Sequence, residues 1–498
     1  MLAVTPDETA ASEAAAIANG WTEEQLVKIA GENLGNAIAR FFPIPETVIG
    51  YLGKGHNAAD CLLALRILRD HFGWKIAVRT AFSISEFAPL AQKLWHQLGL
   101  KQPLDHPPYL PNLQAPILLL DGLLGSGGKG PLRPPILAAV QEMTALRLQA
   151  GASIAAVDLP TGVHPLSGGI QNEAIVADVT FMLGNAKIGL LTATAANHTG
   201  ALALVPVAPL MREGSGTLAA ITPQTACYGK APRPFDFHKG MAGRVAIYAG
   251  SRDYPGAAAL AATGALRGGA GLVSLFVPPA CVSDISAKCP PEIIIRSLEN
   301  PLDLLDTQFD ALVTGCGLSE LDEITSDRLL ELIAKSPSPV VIDAEALNLI
   351  ARCGATSILT ARHLLTPHPG EFARLAPDLA ALPREIAARR FTARHPATLL
   401  LKGSRTLISQ PGQPLLCNTT GSPGMASGGQ GDLLAGVIGA RLAIHDSLPQ
   451  AAALGAWLCG RAAEIALTQR NLSAESLTAS DVSHHLGAAY HDWKTARR

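Results

Sequence analysis

Short apolar runs alternate with amphipathic stretches through most of the chain. TEEQLVKIAGENLGNAIARFF (22–42) carries apolar residues at helical spacing, TVIGYLG (47–53) reads as a strand, AADCLLALRILRDHFG (58–73) as a helix and KIAVRTAF (75–82) as a strand. PILLLDG (116–122) and SIAAVDLP (153–160) are further strands, each an apolar run closed by an aspartate. Such runs between helices predict a parallel sheet covered on both faces. Ligands of these sheets bind beyond the carboxyl ends of the strands, where Asp121 and Asp158 fall. The rhythm lapses over most of 211–240, a stretch with Gly, Ser and three prolines that reads as a linker and entry to a second domain. It then resumes with RVAIYAG (244–250, strand), GAAALAATGALRGG (256–269, helix), LVSLFV (272–277, strand), ALVTGCG (311–317, strand), PVVIDAEALNLI (339–350, strand then helix) and ATLLLKGS (397–404, strand). The expected fold class is α/β in two domains, 1–212 and 238–498, joined by a linker over 213–237.

Composition narrows the class. At 498 residues the chain exceeds what one core usually supports. A net charge of -2 provides no basic footprint for nucleic acid. No apolar run approaches the roughly 18–20 residues of a membrane helix, and the N-terminal segment carries acids where a signal peptide would carry basic residues. The eight cysteines are scattered without a CxxC pair, which favours free thiols in a reducing cytoplasm over disulfides or zinc. A cytoplasmic enzyme is expected.

Polar islands follow the strands of the second half. Asp343 ends one strand, where it either caps the next helix or takes part in chemistry. LLTPHPGE places His368 and Glu371 in a proline-stiffened loop, and LLLKGSRT places Lys402 and Gly403 at a strand end. GSPGMASGGQGDLLAGVIGA (421–440) sets glycines and then Asp432 at a helix start, an arrangement that offers backbone N–H groups to an anion. At that place Asp432 is expected to resist protonation and to serve as a general base toward an attacking hydroxyl.

GGQGDLLAG resembles the signature of ribokinase-like sugar and vitamin kinases. The whole set, HKGMAGRVAIYAGS, PGAAALAATGALRGGAGLVSL, VIDAEALN, LLTPHPGEFARL, LLLKGS and GMASGGQGDLLAGVI, resembles the ADP-dependent NAD(P)H-hydrate dehydratases over roughly residues 225–495. That resemblance implies a ribokinase-like α/β domain. There, a hydroxyl on a hydrated nicotinamide ring is phosphorylated from ADP with magnesium, and phosphate then leaves. It implies that Asp432 is the base and that Lys402, Gly403, Ser404, Arg405 and Thr406 line the adenine nucleotide, with Gly431 near its phosphates. Ala257, Gly317 and His368 would contact the hydrated nucleotide. Where the family shows GPGLG this chain has GCGLS (315–319), with Cys316 for proline and Ser319 for glycine. A kinase releasing a stable phosphorylated product is the alternative reading.

In the first half, ETVIGYLGKGHNAADCLLALRIL, PILLLDGLLGSGGKGPLRPP, SIAAVDLPTGVHPLSG and VADVTFMLGNAKIGLL resemble the NAD(P)H-hydrate epimerases over roughly residues 5–210. The implied fold is a Rossmann-like three-layer αβα sandwich. The implied potassium ligands are Asn57, Asp121 and Thr161. The hydrated nucleotide would be held by His56, Asn57, Ala58, Ala59, Asp60, by the loop of Gly125, Ser126, Gly127, Gly128, Lys129, Gly130 and Pro131, and by Asp158. Asp158 would do acid/base work at the ring carbon, with Lys187 as its electrostatic helper, and homo-oligomers are implied. The family pattern GxGNNGGDG reads here GKGHNAADC (53–61), so two glycines have become Ala58 and Ala59, and the usual Met-Glu-x-Ala-Gly is VKIAG (27–31). If either alanine position needed φ > 0 the loop would shift. A non-catalytic N-terminal binding module is therefore the alternative for this half.

Overall fold

The structure, a computed structural model, describes residues 1–44, 47–104, 116–128, 130–226, 228–319, 321–468 and 472–496. The chain divides into two compact units, Met1–Thr225 and Ala226–Thr495.

In the first unit the helices are α1 (Pro6–Ala18), α2 (Glu23–Phe41), α3 (His56–Phe72), α4 (Pro89–Leu98), α5 (Pro134–Ala150) and the short α6 (Ala196–Thr199). The strands are β1 (Thr47–Leu52), β2 (Lys75–Thr80), β3 (Ile117–Gly122), β4 (Ser153–Val157), β5 (Val179–Leu183) and β6 (Ala201–Val205), all parallel in the order β2-β1-β3-β4-β5-β6. The side chains of β3 explain the layering. Leu118 and Leu120 join a core cluster that holds residues of α2, α3 and α4, whereas Ile117 and Leu119 join one that holds residues of α5. Period-2 alternation with both faces apolar is what a sheet sandwiched between helices requires. The strand order reverses between β1 and β3, the point at which such sheets open a crevice. A short strand, β7 (Leu218–Ile221), lies within the stretch read as a linker, and Ala219 bridges to Leu2.

Helix α1 was not anticipated from the Ala-rich N-terminal segment. Its start is a capping box: Thr5 Oγ1 accepts from Glu8 N–H and Glu8 returns a carboxylate to Thr5 N–H. Glu8 also accepts from Ser215 N–H, and these bonds hold its carboxyl down at about 2.

The second unit strings together β8 (Arg244–Tyr248), β9 (Leu272–Val277), β10 (Ile294–Ser297), β11 (Ala311–Thr314), β12 (Val340–Ile342), β13 (His363–Leu365), β14 (Thr398–Leu401), β15 (Leu407–Ser409) and β16 (Leu415–Asn418). Their order is β10-β9-β8-β11-β12-β13-β14-β15-β16, parallel up to β14 and antiparallel from β14 to β16. The helices are α7 (Pro255–Arg267), α8 (Val282–Ser286), α9 (Glu323–Lys335), α10 (Ala344–Arg352), α11 (Pro369–Leu375), α12 (Arg384–Arg394), α13 (Gln430–Ala443), α14 (Leu448–Thr468) and α15 (Ala479–Thr495). Here the order reverses between β8 and β11. Helix α13 packs on α7 so closely that a Cβ on Gly436 would lie 1.9 Å from the carbonyl oxygen of Ala261. The two helices therefore touch backbone to backbone. Among the described residues no helix is long and apolar enough to cross a membrane.

Candidate functional site

A cavity of about 950 Å³ opens over the carboxyl ends of β1 and β3 in the first unit. It is lined by His56, Asn57 and Asp60 from the first turns of α3, by Gly125, Ser126, Gly127, Gly128, Gly130 and Pro131, and by Asp158 and Lys187. Lys129 lies outside the described residues. Ala58 and Ala59 belong to α3 and are fully buried in its core cluster, so their side chains do not reach the cavity. Neither has a positive φ, so alanine is unstrained there and the absent glycines cost the backbone nothing.

Asp158 follows β4 with φ 66, a left-handed conformation uncommon outside glycine, though aspartate tolerates it better than most residues. The surroundings are identifiable: Lys187 Nζ and Leu183 N–H both donate to Asp158 Oδ1, the latter at 3.0 Å. Lys187, 2% exposed, also donates to the Leu183 carbonyl at 2.9 Å. Asp60 is the odd member. It is 8% exposed, its Oδ1 has no hydrogen-bond partner among the described residues, and burial followed by the charges of Asp158 and Glu13 pushes its pKa well above the usual range. Glu13 of α1 lines the same cavity, and its carboxyl is raised by desolvation and by Asp158. The cavity thus holds an ion-paired carboxylate beside a carboxyl whose ionisation burial disfavours, two environments suited to opposite acid–base roles.

Next to it, Thr161 N–H and Oγ1 both donate to Asp121 at 2.7 Å, Leu124 N–H donates to Thr161 Oγ1, and Asn57 Nδ2 donates to the Leu124 carbonyl. Asn57 and Thr161 thus meet at Leu124, and Asp121, which also accepts from Leu123 N–H, joins them through Thr161, so the three oxygen-bearing residues expected to bind a cation form one hydrogen-bonded chain. Asp121 is completely buried, and burial raises its pKa to about 6 against the hydrogen bonds it accepts.

In the second unit the β8/β11 switch point gathers the other set. Gly317 sits against Ala257 and Tyr254, and a Cβ on it would lie 2.6 Å from that of Ala257. Ser319 Oγ bonds Ser251 Oγ at 2.9 Å and Gly250 N–H donates to the Cys316 carbonyl, so the departures from GPGLG are absorbed into loop contacts. Asp432 stands in the first turn of α13, which starts at Gly429 in a left-handed conformation (φ 88). The buried Cys316 thiol neighbours the Asp432 carboxylate and favours its ionised form.

Asp432 does not resist protonation as expected. Burial, then the charge of Asp343, raise its pKa to about 6, and together they outweigh Cys316 and Lys402, which pull it down. The helix terminus is too weak a field to reverse desolvation. Lys402 Nζ is 2.7 Å from Asp343 Oδ1. Burial works against the lysine's charge, but Asp343 more than offsets it and the net shift is upward. Asp343 occupies the N-cap position of α10 without making a capping bond, which decides between its two readings against the cap. His368 caps α11 instead, its Nδ1 accepting from Gly370 and Glu371 N–H while Glu371 accepts from His368 N–H.

The 402–406 segment is the turn between β14 and β15. Gly403 and Ser404 are exposed and Thr406 is half-buried, but Arg405 is 4% exposed and its side chain is directed inward, not to a surface ligand. Arg384, which the pattern did not single out, donates to the Leu401 and Lys402 carbonyls and shapes this turn.

A family model described as NAD(P)H-hydrate dehydratase matches residues 245–485, and one described as YjeF-related protein N-terminus matches residues 23–189. The chain is 39% identical over 493 residues to the bifunctional NAD(P)H-hydrate repair enzyme Nnr of Moorella thermoacetica, covering 90% of this chain and 89% of the relative. It is 34% identical to the Gloeobacter violaceus protein of the same name, covering 89% of each. A ribokinase-like superfamily protein from Enterococcus faecalis superposes with TM-score 0.50 at 25% identity, covering 57% of this chain and 98% of that one.

Proposed function

The chain belongs to the family of bifunctional NAD(P)H-hydrate repair enzymes, and from that premise we propose how its two units divide the repair. The protein is an NAD(P)H-hydrate epimerase and an ADP-dependent NAD(P)H-hydrate dehydratase of the ribokinase-like class. The first unit interconverts the S and R forms of the hydrated nucleotide in the 950 Å³ cavity. Asp158, ion-paired with Lys187, moves the proton at the hydroxyl-bearing carbon. Asn57, Asp121 and Thr161 would hold potassium, since their hard oxygen donors suit such an ion and their hydrogen bonds already bring them to one place. Bound there, potassium supplies a fixed positive charge beside the nucleotide.

In the second unit Asp432 takes the proton of the ring hydroxyl as that oxygen attacks the terminal phosphate of ADP. AMP leaves, and loss of phosphate with a ring proton then restores NAD(P)H. The supporting observation is the half-buried Asp432 carboxylate, with a pKa near 6 and no ion-pair partner among the described residues, at a helix start of the kind that favours anions. Gly431 and the turn at Lys402, Gly403, Ser404 and Thr406 would hold the nucleotide, with Ala257, Gly317 and His368 toward the hydrated ring. Magnesium is expected with ADP. Among the described residues no group of three or more His, Cys, Asp or Glu could hold a metal, so no residue is assigned to it and no step runs through it. Cytoplasmic residence and homo-oligomeric assembly belong to the same reading, the former supported by free cysteines at the seven described positions.

The test follows hydrated NADH with the full chain, ADP, magnesium and potassium. Recovery of the reduced-nicotinamide absorbance together with orthophosphate is expected, and both epimers should be consumed in one phase. A stable phosphorylated product would make the second unit a kinase. Consumption of only the S form would make the first a binding module.

A further inference from the structure

We propose that Asp343 is a positioning residue of the dehydratase site, clamping the Lys402 ammonium where the terminal phosphate of a nucleoside diphosphate is received and keeping it off Asp432. The proposal rests on the reading of Asp432 as the base.

Three features at Asp343 each cost stability locally and make sense only together. Asp343 sits at the N-cap of α10 in extended conformation, yet its side chain makes no capping bond. Asp322, at the N-cap of α9, does cap, accepting from Thr325 N–H at 2.6 Å, so the residue type is not the reason. The next residue, Ala344, has φ 45, a left-handed conformation with a Cβ penalty. Finally, Asp343 is 2% exposed and is paired across 59 residues of sequence with a lysine that is itself largely buried, and burying such a pair is expensive. The side chain has been turned from the helix it heads toward Lys402.

The location of the pair shows what is gained. Lys402 Nζ lies 3.0 Å, and Asp343 Oδ2 3.7 Å, from the point where a Cβ on Gly431 would sit. The ammonium is thus pressed against the residue before Asp432, beside the free N–H groups of the first turn of α13. A fixed cation at a helix N-terminus strengthens an anion seat. Two carboxylates, Asp343 and Asp432, compete for this one ammonium, and the ion pair goes to Asp343. Were Lys402 loose, its flexible stem would let it fall onto Asp432 and lower the basicity of that carboxylate. The charged and titratable groups facing Asp432 are Asp343, Lys402, Glu371 and Cys316, so removing the first two in turn shifts Asp432 in opposite directions.

The test uses full-length protein, with ADP and hydrated NADH varied and kcat/KM measured from pH 5 to 9. Asp343→Asn removes a negative charge and frees the lysine: the acid limb should move down by about one pH unit, kcat should fall at least tenfold and KM for ADP should rise. Lys402→Met should move the limb up and also raise KM for ADP. The Asp343→Asn/Lys402→Met pair should return the limb upward from its place in Asp343→Asn. A structural role alone lowers amplitude and leaves the limb in place. An unmoved limb in Asp343→Asn, or in Lys402→Met should the first variant not fold, overturns the proposal. Asp432→Asn separates the two claims: if it still dehydrates, the assignment of the base has failed, whatever Asp343 does.

Discussion

Replacing Asp432 by asparagine should abolish dehydration and yet make the protein more stable at neutral pH. Burial and the Asp343 charge raise this carboxyl from 3.8 to about 6. A pKa raised in the folded state means that the contribution to stability is full below the unfolded value and lost as pH rises through the folded one. The ionised base is therefore a burden at pH 7. At 1.36 kcal/mol per unit the burden is about 3 kcal/mol, and nearer ~2 kcal/mol after discounting for the solvent that still reaches the residue. Asparagine keeps the shape and an acceptor for Cys316 but does not titrate. The measurement is urea denaturation of wild type and variant from pH 4 to 8, read as the difference between them, so that other titrating groups such as Asp121 cancel. The variant's advantage should be near zero at pH 4 and grow to about 2 kcal/mol by pH 7. A difference that is flat with pH, or a variant destabilised at pH 8, would refute the reasoning that desolvation governs Asp432.

Other outcomes can be checked alongside. Lys187→Met leaves the half-buried Asp158 without its cation and should cost about 1–3 kcal/mol, less than a fully buried pair because the cavity admits water, and all epimerisation; adding Asp158→Asn should recover most of the stability, by thermal melt, and none of the activity. Ala59→Gly, which restores a family glycine, should destabilise by about 1–2 kcal/mol through lost helix propensity and a lost buried methyl, and epimerisation rate assays should show no gain. Thr161→Ala should remove any acceleration of epimerisation by potassium over sodium, because the cation loses one ligand and Asp121 its hydrogen-bond donor; a variant still activated by potassium would place the ion elsewhere.

How much was legible depended on whether the signal was local. Strands closed by aspartate announced Asp121, Asp158 and Asp343 correctly as residues at strand ends, because an apolar run ending in a carboxylate is a pattern of adjacent residues. The pairings that give those residues their character were not legible. Asp343 finds Lys402 at 59 residues' distance and Cys316 reaches Asp432 across more than a hundred, and only the folded sheet brings them together. The pKa of Asp432 departs from the sequence expectation for the same reason: the helix start is visible in the sequence, the desolvation is not. Helix α1 was missed although Thr5 and Glu8 carry a readable capping box, since its Ala-rich face lacks the apolar stripe on which the helix reading relied. The sequence leaves open whether Ala58 and Ala59 need positive φ, because family glycines stand there, whereas in the structure both lie in the first turns of α3.

The contact between α7 and α13 has a practical side. With Gly436 lying on the backbone of Ala261 and Gly264 on that of Leu433, no side chain cushions the two helices at these crossings, so a slide or tilt of one there must carry the other. The spacing of Ala257 on one helix and Asp432 on its partner is therefore tied to these main-chain contacts. Anyone transplanting the site into another scaffold, or diversifying it by recombination, would have to move the two helices as a single cassette. A crossover point placed between them would hand the new protein a base whose distance from its substrate had been set by someone else's backbone.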